Sequence, residues 1–182
     1  MIFCPKAVPF PIQIQAERIG RRTKGAATEM TTPDLDLRRV REAIIREHEE
    51  AENRGDLEAT LATFAGTPRY DVTPGGRFDG AKEVSELLSG IFAAMPDFHA
   101  TTLTLHHADD AVIVETRTTG THTGSEWFGI PARGHSMALR AVSIYEFEGD
   151  RLILEKLFFD GLSLQQQLLG ETQQSSLVTE TE

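Results

Sequence analysis

The first half of the chain is patterned as amphipathic helices. From Leu37 to Ala51, apolar residues and His48 recur at three- and four-residue steps, which predicts one helix with an apolar face. Thr32-Pro33-Asp34 predicts its start, with a hydroxyl N-cap, a proline at the first position and an acid in the first turn. Two further faces predict a second, shorter helix and a third helix that ends at Pro96. They consist of Leu57, Leu61 and Phe64, and of Val84, Leu87, Leu88, Ile91, Phe92 and Met95.

From Phe98 onward the apolar period changes to two, which is typical of strands. The pattern predicts a strand around Val112–Thr119 and a hairpin of two long strands, Met137–Phe147 and Leu152–Phe159. Arg69–Thr73 adds a short strand between the second and third helices. Three helices followed by antiparallel strands indicate an α+β fold with the helices on one face of the sheet. A twisted sheet that bends around short helices leaves a hollow between them.

The composition is that of a globular protein. The chain has 182 residues, of which 28 are acidic and 18 basic, and its formal net charge is −10. This balance disfavours nucleic acid as a partner, because such binding depends on clustered lysine and arginine. No apolar run approaches the roughly 18 residues that a membrane helix needs. Cys4 is the single cysteine, which excludes an internal disulfide and a cysteine-based metal site. We expect a soluble, cytoplasmic protein.

The two ends of the chain differ from its centre. Residues 1–31 hold several prolines and a local excess of basic residues, and we expect them to form a disordered leader. Residues 32–170 contain the predicted single domain. Residues 171–182 are rich in threonine, serine and glutamine, so the composition predicts a disordered polar tail.

Asp160 is the sharpest candidate for chemistry. By alternation along the last strand it shares a face with Leu152, Leu154 and Phe158. A carboxyl on such an apolar face has a raised pKa and can act as a general acid or base near neutrality. The alternative is that Asp160 caps the short helix that follows it, which keeps its pKa low.

Two histidines and one arginine are further candidates. His122 continues the inward strand face of Val114 and Thr116, where it could polarise a carbonyl or carry a proton. His48 lies on the apolar face of the first helix, and Arg140 lies within a strand where it could bind an anionic oxygen. Each has a structural alternative: a hydrogen-bonded histidine in a turn, a satisfied core histidine, and a salt bridge on the solvated sheet face.

Aromatic side chains are the expected walls of the hollow. Tyr70, Trp127 and Phe92, together with Phe158 on the last strand, are candidates for contact with a hydrophobic ligand. The six histidines show no metal-ligand spacing, and the chain has no HExxH, EF-hand or P-loop motif. We therefore expect no metal.

Three segments are distinctive in combination: Gly120-Thr121-His122-Thr123-Gly124, Phe128-Gly129-Ile130-Pro131 and Phe159-Asp160-Gly161-Leu162. In this order they resemble the SnoaL-like polyketide cyclases of the nuclear transport factor 2-like superfamily. The resemblance covers most of residues 40–170. It implies a cone-shaped fold in which about three N-terminal helices pack on a curved, mostly antiparallel sheet, and commonly a homodimer.

The resemblance also implies a function. In the cyclases of this family, an aspartate at the end of the last strand is the acid/base of an intramolecular aldol closure that needs no cofactor or metal, and Asp160 matches it. Strand alternation, and not a motif of the family, makes His122 and Arg140 candidate donors to the enolate oxygen. The expected function is that of a cofactor-independent cyclase or isomerase acting on a hydrophobic carbonyl compound. The alternative is a non-catalytic ligand-binding or dimerising domain of the same fold.

Overall fold

The structure, a computed structural model, describes residues 34–171 of the chain. The predicted leader and tail lie outside this range, apart from Glu171, and so do Thr32 and Pro33 of the predicted helix start. Within the described range, no helix combines the length and the apolar character needed to cross a membrane.

Four helices form in the described residues: α1 (Leu35–Asn53), α2 (Leu57–Ala62), α3 (Ala81–Ala94) and α4 (Gly161–Leu169). Asp34, and not the expected Thr32, is the N-cap of α1, and its carboxylate accepts the amide of Leu37 at 2.8 Å. Asp56 caps α2 in the same way. The sequence therefore located the helices but placed the cap of α1 two residues early.

The buried face of α1 is turned relative to the predicted one. Its fully buried residues are Arg41, Ile45, His48 and Ala51, while Val40 is exposed. Arg41 explains the rotation, because its guanidinium donates hydrogen bonds to the carbonyls of two hairpin turns. Nε reaches the carbonyl of Gly149 at 2.8 Å, and Nη1 reaches the carbonyls at positions 108 and 109. Burial of a charged group is costly unless hydrogen bonds compensate for it, and these bonds allow Arg41 to be part of the core.

Six strands form one mixed sheet in the order β2-β1-β6-β5-β4-β3. Only the pairing of β1 with β6 is parallel, so the sheet is mostly antiparallel, as predicted. The sequence analysis missed β2, which turns back on β1. The strands are β1 (Arg69–Thr73), β2 (Gly76–Asp79), β3 (His99–His107), β4 (Ala111–Thr121), β5 (Ser136–Glu148) and β6 (Arg151–Phe159).

A bulge near the start of β6 changes which residues face the helices. Phe147 of β5 pairs with Leu152, but the residue before it, Glu146, pairs with Leu154. Ile153 is therefore an extra residue in β6. A bulge shifts the alternation of side chains by one position. Leu152 is buried, and beyond the bulge the inward residues are Glu155, Leu157 and Phe159. The prediction that Leu152 and Phe158 share a face is therefore wrong.

The helices pack on one face of the sheet: α1 against β3 and β6, α3 against β1 and β2, and α4 against β5. The main core cluster joins α1, α3 and the sheet, and a second cluster surrounds α4. The α+β architecture predicted from the sequence is confirmed, with the helices on one side of a sheet that does not close on itself.

Candidate functional site

A hollow with a cavity volume of about 110 Å³ lies between the inner face of the sheet and the helices. Most of its wall is apolar and comes from α3, the sheet and the loop after β4. Trp127 and Phe128 in that loop lie with their ring centroids 4.5 Å apart. The apolar lining includes Leu88, Phe92, Phe98, Trp127, Leu139, Leu157 and Phe159.

One side of the hollow is acidic. Glu49 and Glu52 lie one turn apart on α1, and Glu155 faces them from β6. These three residues are called the acidic cluster below. Glu155 is only 3% exposed. The described residues that line the hollow include no lysine, arginine or histidine, so the charge of the lining is negative.

His48 lies behind the acidic cluster and is fully buried. Its Nδ1 is 2.7 Å from the hydroxyl of Thr63, which itself donates to the carbonyl of Thr60. The hydroxyl of Thr63 therefore accepts a hydrogen bond from the N–H group at Nδ1. On the other side of the ring, Nε2 is 2.7 Å from the hydroxyl of Tyr70, which donates to Glu52 at 2.8 Å. Tyr70 in turn accepts from Nε2, so both ring nitrogens carry a proton.

The charges around His48 support the same protonation state. Nε2 lies 3.2 Å from an oxygen of Glu155 and 3.4 Å from an oxygen of Glu52. Burial lowers the pKa of His48, but the two carboxylates outweigh it and raise the pKa from 6.5 to about 10. His48 is therefore an imidazolium at neutral pH, held by two anions.

Glu155 contacts Ser143 through one carboxylate oxygen and His48 through the other. Its Oε1 accepts the hydroxyl of Ser143 at 2.8 Å. Its Oε2 has no hydrogen-bond partner among the described residues, although it is buried and close to His48. The Nε2–H bond of His48 points to Tyr70, and the contact between His48 and Glu155 is an ion pair.

Glu49 is the carboxyl with the fewest partners in the hollow. Its Oε2 accepts the hydroxyl of Thr102 at 2.5 Å, while its Oε1 is buried without a hydrogen-bond partner in the described part of the chain. Burial raises the pKa of Glu49, and the neighbouring Glu155 and Glu52 raise it further, against the Thr102 hydrogen bond and His48. A buried carboxyl with a raised pKa is a candidate for proton transfer.

His48, Glu52 and Glu155 also offer one ligand atom each within 4.8 Å of one another, the geometry of a metal site. The hydrogen bonds argue for a different use, because both nitrogens of His48 donate and no lone pair is left for a metal. We interpret the cluster as an ion-paired network. Spacing along the chain does not reveal this network, because its members come from α1 and β6.

Asp160 does not line the hollow. It is exposed and is the N-cap of α4, where its two oxygens accept the backbone amide and the hydroxyl of Ser163 at 3.0 and 2.7 Å. These hydrogen bonds lower the pKa of Asp160. The expectation of a buried carboxyl with a raised pKa is wrong, and the capping alternative is the one observed. The bulge at Ile153 explains the error, because it turns this side of β6 outward.

His122 is buried, as alternation along β4 predicted, but the described hollow does not include it. Its Nε2 is 2.8 Å from the carbonyl of Ser125, and its backbone pairs with Gly134 and His135. These contacts fold the loop that carries Trp127. His122 therefore acts on the loop and not on a ligand in the hollow.

Arg140 and Phe158 point away from the hollow. Arg140 is exposed on the outer face of the sheet and forms an ion pair with Glu115 at 2.6 Å. Phe158 lies on the same outer face and is 41% exposed. The structural alternative for Arg140, a salt bridge on the solvated face, is the one observed. The predicted contact of Phe158 with a ligand in the hollow is wrong.

Three predicted ligand contacts, Tyr70, Phe92 and Trp127, do line the hollow, and His48 lies directly behind it. The residues that sequence reasoning missed are the acidic cluster. A signal for Glu52 was available, since it follows His48 by four residues on a helix and so lies on the same face. Glu155 gave no such signal, because its inward direction depends on the bulge.

The architecture is that of the nuclear transport factor 2-like fold, and the sequence identifies the family. The model of the SnoaL-like polyketide cyclase family matches residues 42–168. The chain therefore belongs to this family, which confirms the resemblance seen in its motifs. No curated protein sequence matches the chain significantly.

Solved structures share the fold at low sequence identity. A candidate SnoaL-like polyketide cyclase from Jannaschia sp. CCS1 has a TM-score of 0.68 at 14% identity, over 76% of this chain and 97% of that one. A candidate polyketide cyclase from Acidithiobacillus ferrooxidans has a TM-score of 0.61 at 27% identity, over 73% and 96%. A ketosteroid isomerase-like protein from Catenulispora acidiphila, in complex with trimethylamine, has a TM-score of 0.58 at 19% identity, over 76% and 94%.

Proposed function

We propose that this protein is a cofactor-independent proton-transfer enzyme, a cyclase or isomerase, that acts on a hydrophobic carbonyl compound in the hollow. In this proposal Glu49 takes the role that the sequence suggested for Asp160. The observation that carries it is a carboxyl that lines an apolar hollow with one buried oxygen free of hydrogen bonds in the described residues.

The chemistry follows from the surroundings of Glu49. As the carboxylate it removes a proton from the carbon next to a carbonyl, and its raised pKa makes it a stronger base than an exposed carboxylate. The enolate oxygen then needs a donor. Tyr145 lines the hollow, and burial together with Glu155 and Glu52 raises its pKa well above its ordinary value. Tyr145 therefore keeps its proton and is our candidate donor.

The remaining contacts are apolar. Tyr70, Phe92 and Trp127 line the hollow, and we assign them to substrate binding. The trimethylamine complex of the Catenulispora protein supports the use of this fold for small organic ligands. Family membership supports carbonyl chemistry as the reaction class.

Exchange of the α-protons of acetophenone in D2O, followed by NMR, tests the proposal. The wild-type protein should accelerate the exchange. Glu49→Gln should lower the rate at least about 100-fold, because general-base catalysis contributes about that much. The amide keeps the size of the side chain and an oxygen for Thr102. Glu50→Gln is the matched control: Glu50 is exposed on the same helix and does not line the hollow, so its loss should leave the rate unchanged.

Two results would contradict the proposal. If Asp160→Asn, which retains an acceptor for the α4 amides, abolishes exchange while Glu49→Gln does not, the proton is carried by Asp160. The other result is a bound ketone that does not exchange. Binding can be followed through Trp127, the one tryptophan of the chain. Acetophenone that changes its fluorescence without exchanging would favour the alternative of a non-catalytic ligand-binding domain.

We also propose that the protein forms a homodimer through the outer face of the sheet. Val142 and Phe158 pair across β5 and β6 on that face, and both are partly exposed. Ile113 and Ile144 pair beside them across β4 and β5. These four residues are called the outer patch below. A second copy of the chain would cover this apolar surface.

A further inference from the structure

The hollow is small for a ligand with several rings. Its cavity volume is about 110 Å³, whereas a dry apolar cavity of about 150 Å³ holds a single benzene ring. The walls are bulky aromatic side chains from separate elements, among them Phe92, Phe98 and Trp127. A fused multi-ring compound needs more space than these walls leave. The volume therefore limits a ligand to one ring at most.

The charge of the hollow selects among such ligands. Three carboxylates line it, and the nearest cation, His48, lies behind them and is already paired with Glu52 and Glu155. His48 is a single cation beside three carboxyl groups, so acidic groups outnumber basic ones at this low-dielectric site. An anionic ligand would be repelled there, and a cation would be attracted.

One acceptor of the cluster also lacks a donor. Oε1 of Glu49 is buried and has no hydrogen-bond partner within the described residues, whereas Oε2 of Glu155 faces His48. A buried acceptor without a donor is costly, and a ligand with N–H groups supplies donors and positive charge together. Aromatic walls add to the attraction, because the faces of Phe92 and Trp127 favour a cation.

From these observations we propose that the natural ligand of the hollow is a one-ring hydrophobic compound that carries a protonated amine. The inference rests on the proposed function in taking the hollow as the substrate site, and it names the substrate class. The ring occupies the aromatic wall, and the ammonium group faces the acidic cluster. Anionic substrates, including free carboxylic acids and thioesters of phosphate-bearing carriers, are excluded on the same grounds.

The preference of the hollow for a cationic ligand can be tested with three probes of similar shape and different charge: benzylamine, benzyl alcohol and benzoate. Each is titrated into the full chain at neutral pH, and Trp127 fluorescence reports occupancy of the hollow. We expect benzylamine to bind at least about tenfold more tightly than benzyl alcohol, a difference of about 1.4 kcal/mol, and benzoate to bind more weakly than both. Equal affinities, or tightest binding of benzoate, would overturn the inference. A three-ring amine, 9-(aminomethyl)anthracene, should not bind; affinity equal to that of benzylamine would overturn the one-ring limit.

Two variants distinguish a specific effect of the Glu49 carboxyl on amine binding from an effect of the overall charge of the protein. Glu49→Gln should weaken benzylamine binding about fivefold or more and leave benzyl alcohol within about twofold. Glu50→Gln on the outside of the same helix should change neither. If both variants weaken benzylamine equally, the attraction comes from the overall charge of the protein and the inference fails.

The outcome is distinguishable from that of the exchange assay. Amine preference without ketone exchange supports the ligand class and contradicts the enzyme. Exchange that depends on Glu49 without amine preference supports the enzyme and contradicts the ligand class.

Discussion

His48 is a buried cation that lies between two acidic residues. The ring donates from both nitrogens, to Thr63 and to Tyr70, and it lies between the carboxylates of Glu52 and Glu155. A buried charge is tolerated only when it is paired and hydrogen-bonded, and here both conditions are met. The imidazolium in turn pairs with the carboxyls of Glu52 and Glu155 beside an apolar hollow. Through His48, α1 supplies the charge pattern on which the proposed ligand class depends.

Stability should therefore depend on pH through His48. Its folded pKa, about 10, lies above its ordinary value of 6.5. A raised folded pKa gives stability that is complete below the unfolded pKa and is lost as pH rises through the folded one. We expect the free energy of unfolding of the wild type in urea to fall by a few kcal/mol between about pH 6.5 and pH 10. His48→Gln should be less stable at the lower pH and should show a much weaker fall.

The difference between the two pH curves is the measured quantity, because other groups add their own pH dependence to both proteins. Parallel curves for the wild type and His48→Gln would contradict the assignment of an imidazolium. A wild-type curve that rises relative to that of His48→Gln as the pH approaches 6.5, and runs parallel to it above, would contradict it too, since that is the behaviour of a histidine buried neutral.

Asp160 and Glu155 show what the sequence could and could not predict about single residues. Both are acids in or next to the apolar strand β6. Alternation from Leu152 selected Asp160 and passed over Glu155, yet Glu155 is buried in the hollow and Asp160 is exposed. Helix capping by Asp160 depends only on neighbouring residues, so the sequence predicted it as one of two alternatives. The direction of Glu155 depends on a bulge set by pairing with β5, which no local pattern reveals.

At the scale of elements, the sequence predicted types well and junctions poorly. The helices and long strands follow from periodicity, which is a property of each segment alone. The missed strand β2 has four residues, Gly76–Asp79, and forms by pairing with β1. Its existence depends on a neighbour and not on its own composition. The bulge at Ile153 and the rotated face of α1 arise for the same reason, from contacts with β5 and with the hairpin turns.

The junction between α3 and the loop after β4 explains one of the motifs. The amides of Gly124 and Ser125 donate to the carbonyls of Ala94 and Ala93, which satisfies the C-terminal end of α3. A Cβ at Gly124 would overlap the carbonyl oxygen of Ala93. Gly120 is similarly close to Met95, whose Sδ would lie 2.9 Å from a Cβ. The glycines of this segment thus permit the loop to reach the helix end.

Gly124→Ala should destabilise the protein by about 1–3 kcal/mol, because the backbone must move to admit the methyl group. Gly90→Ala is the matched control within α3, since nothing lies within 4 Å of a Cβ at that position. In a helix interior this control should instead stabilise by about 0.5–1 kcal/mol. Urea unfolding measures both. Equal effects of the two substitutions would show that the close approach of the loop to α3 has no energetic role.

At the scale of the molecule, the net charge of the chain and the acidic groups of the hollow have the same sign. The formal net charge is −10, and the acidic cluster adds a local negative potential inside the hollow. The long-range field of an acidic protein raises the local concentration of cations and accelerates their association. The same field works against anionic ligands and against nucleic acid. The sequence predicted the overall charge, and only the structure shows that the hollow has the same sign.

The proposed dimer can be tested on the outer patch of the sheet. Phe158→Glu places a charge on an apolar surface, and twofold symmetry brings two such charges together, so we expect the variant to sediment as a monomer where the wild type sediments as a dimer. Leu35→Glu is the control, because Leu35 is 67% exposed at the start of α1, away from the patch. It should leave the dimer intact. A monomeric wild type, or a dimer that survives Phe158→Glu, would mean that the outer face is not the interface.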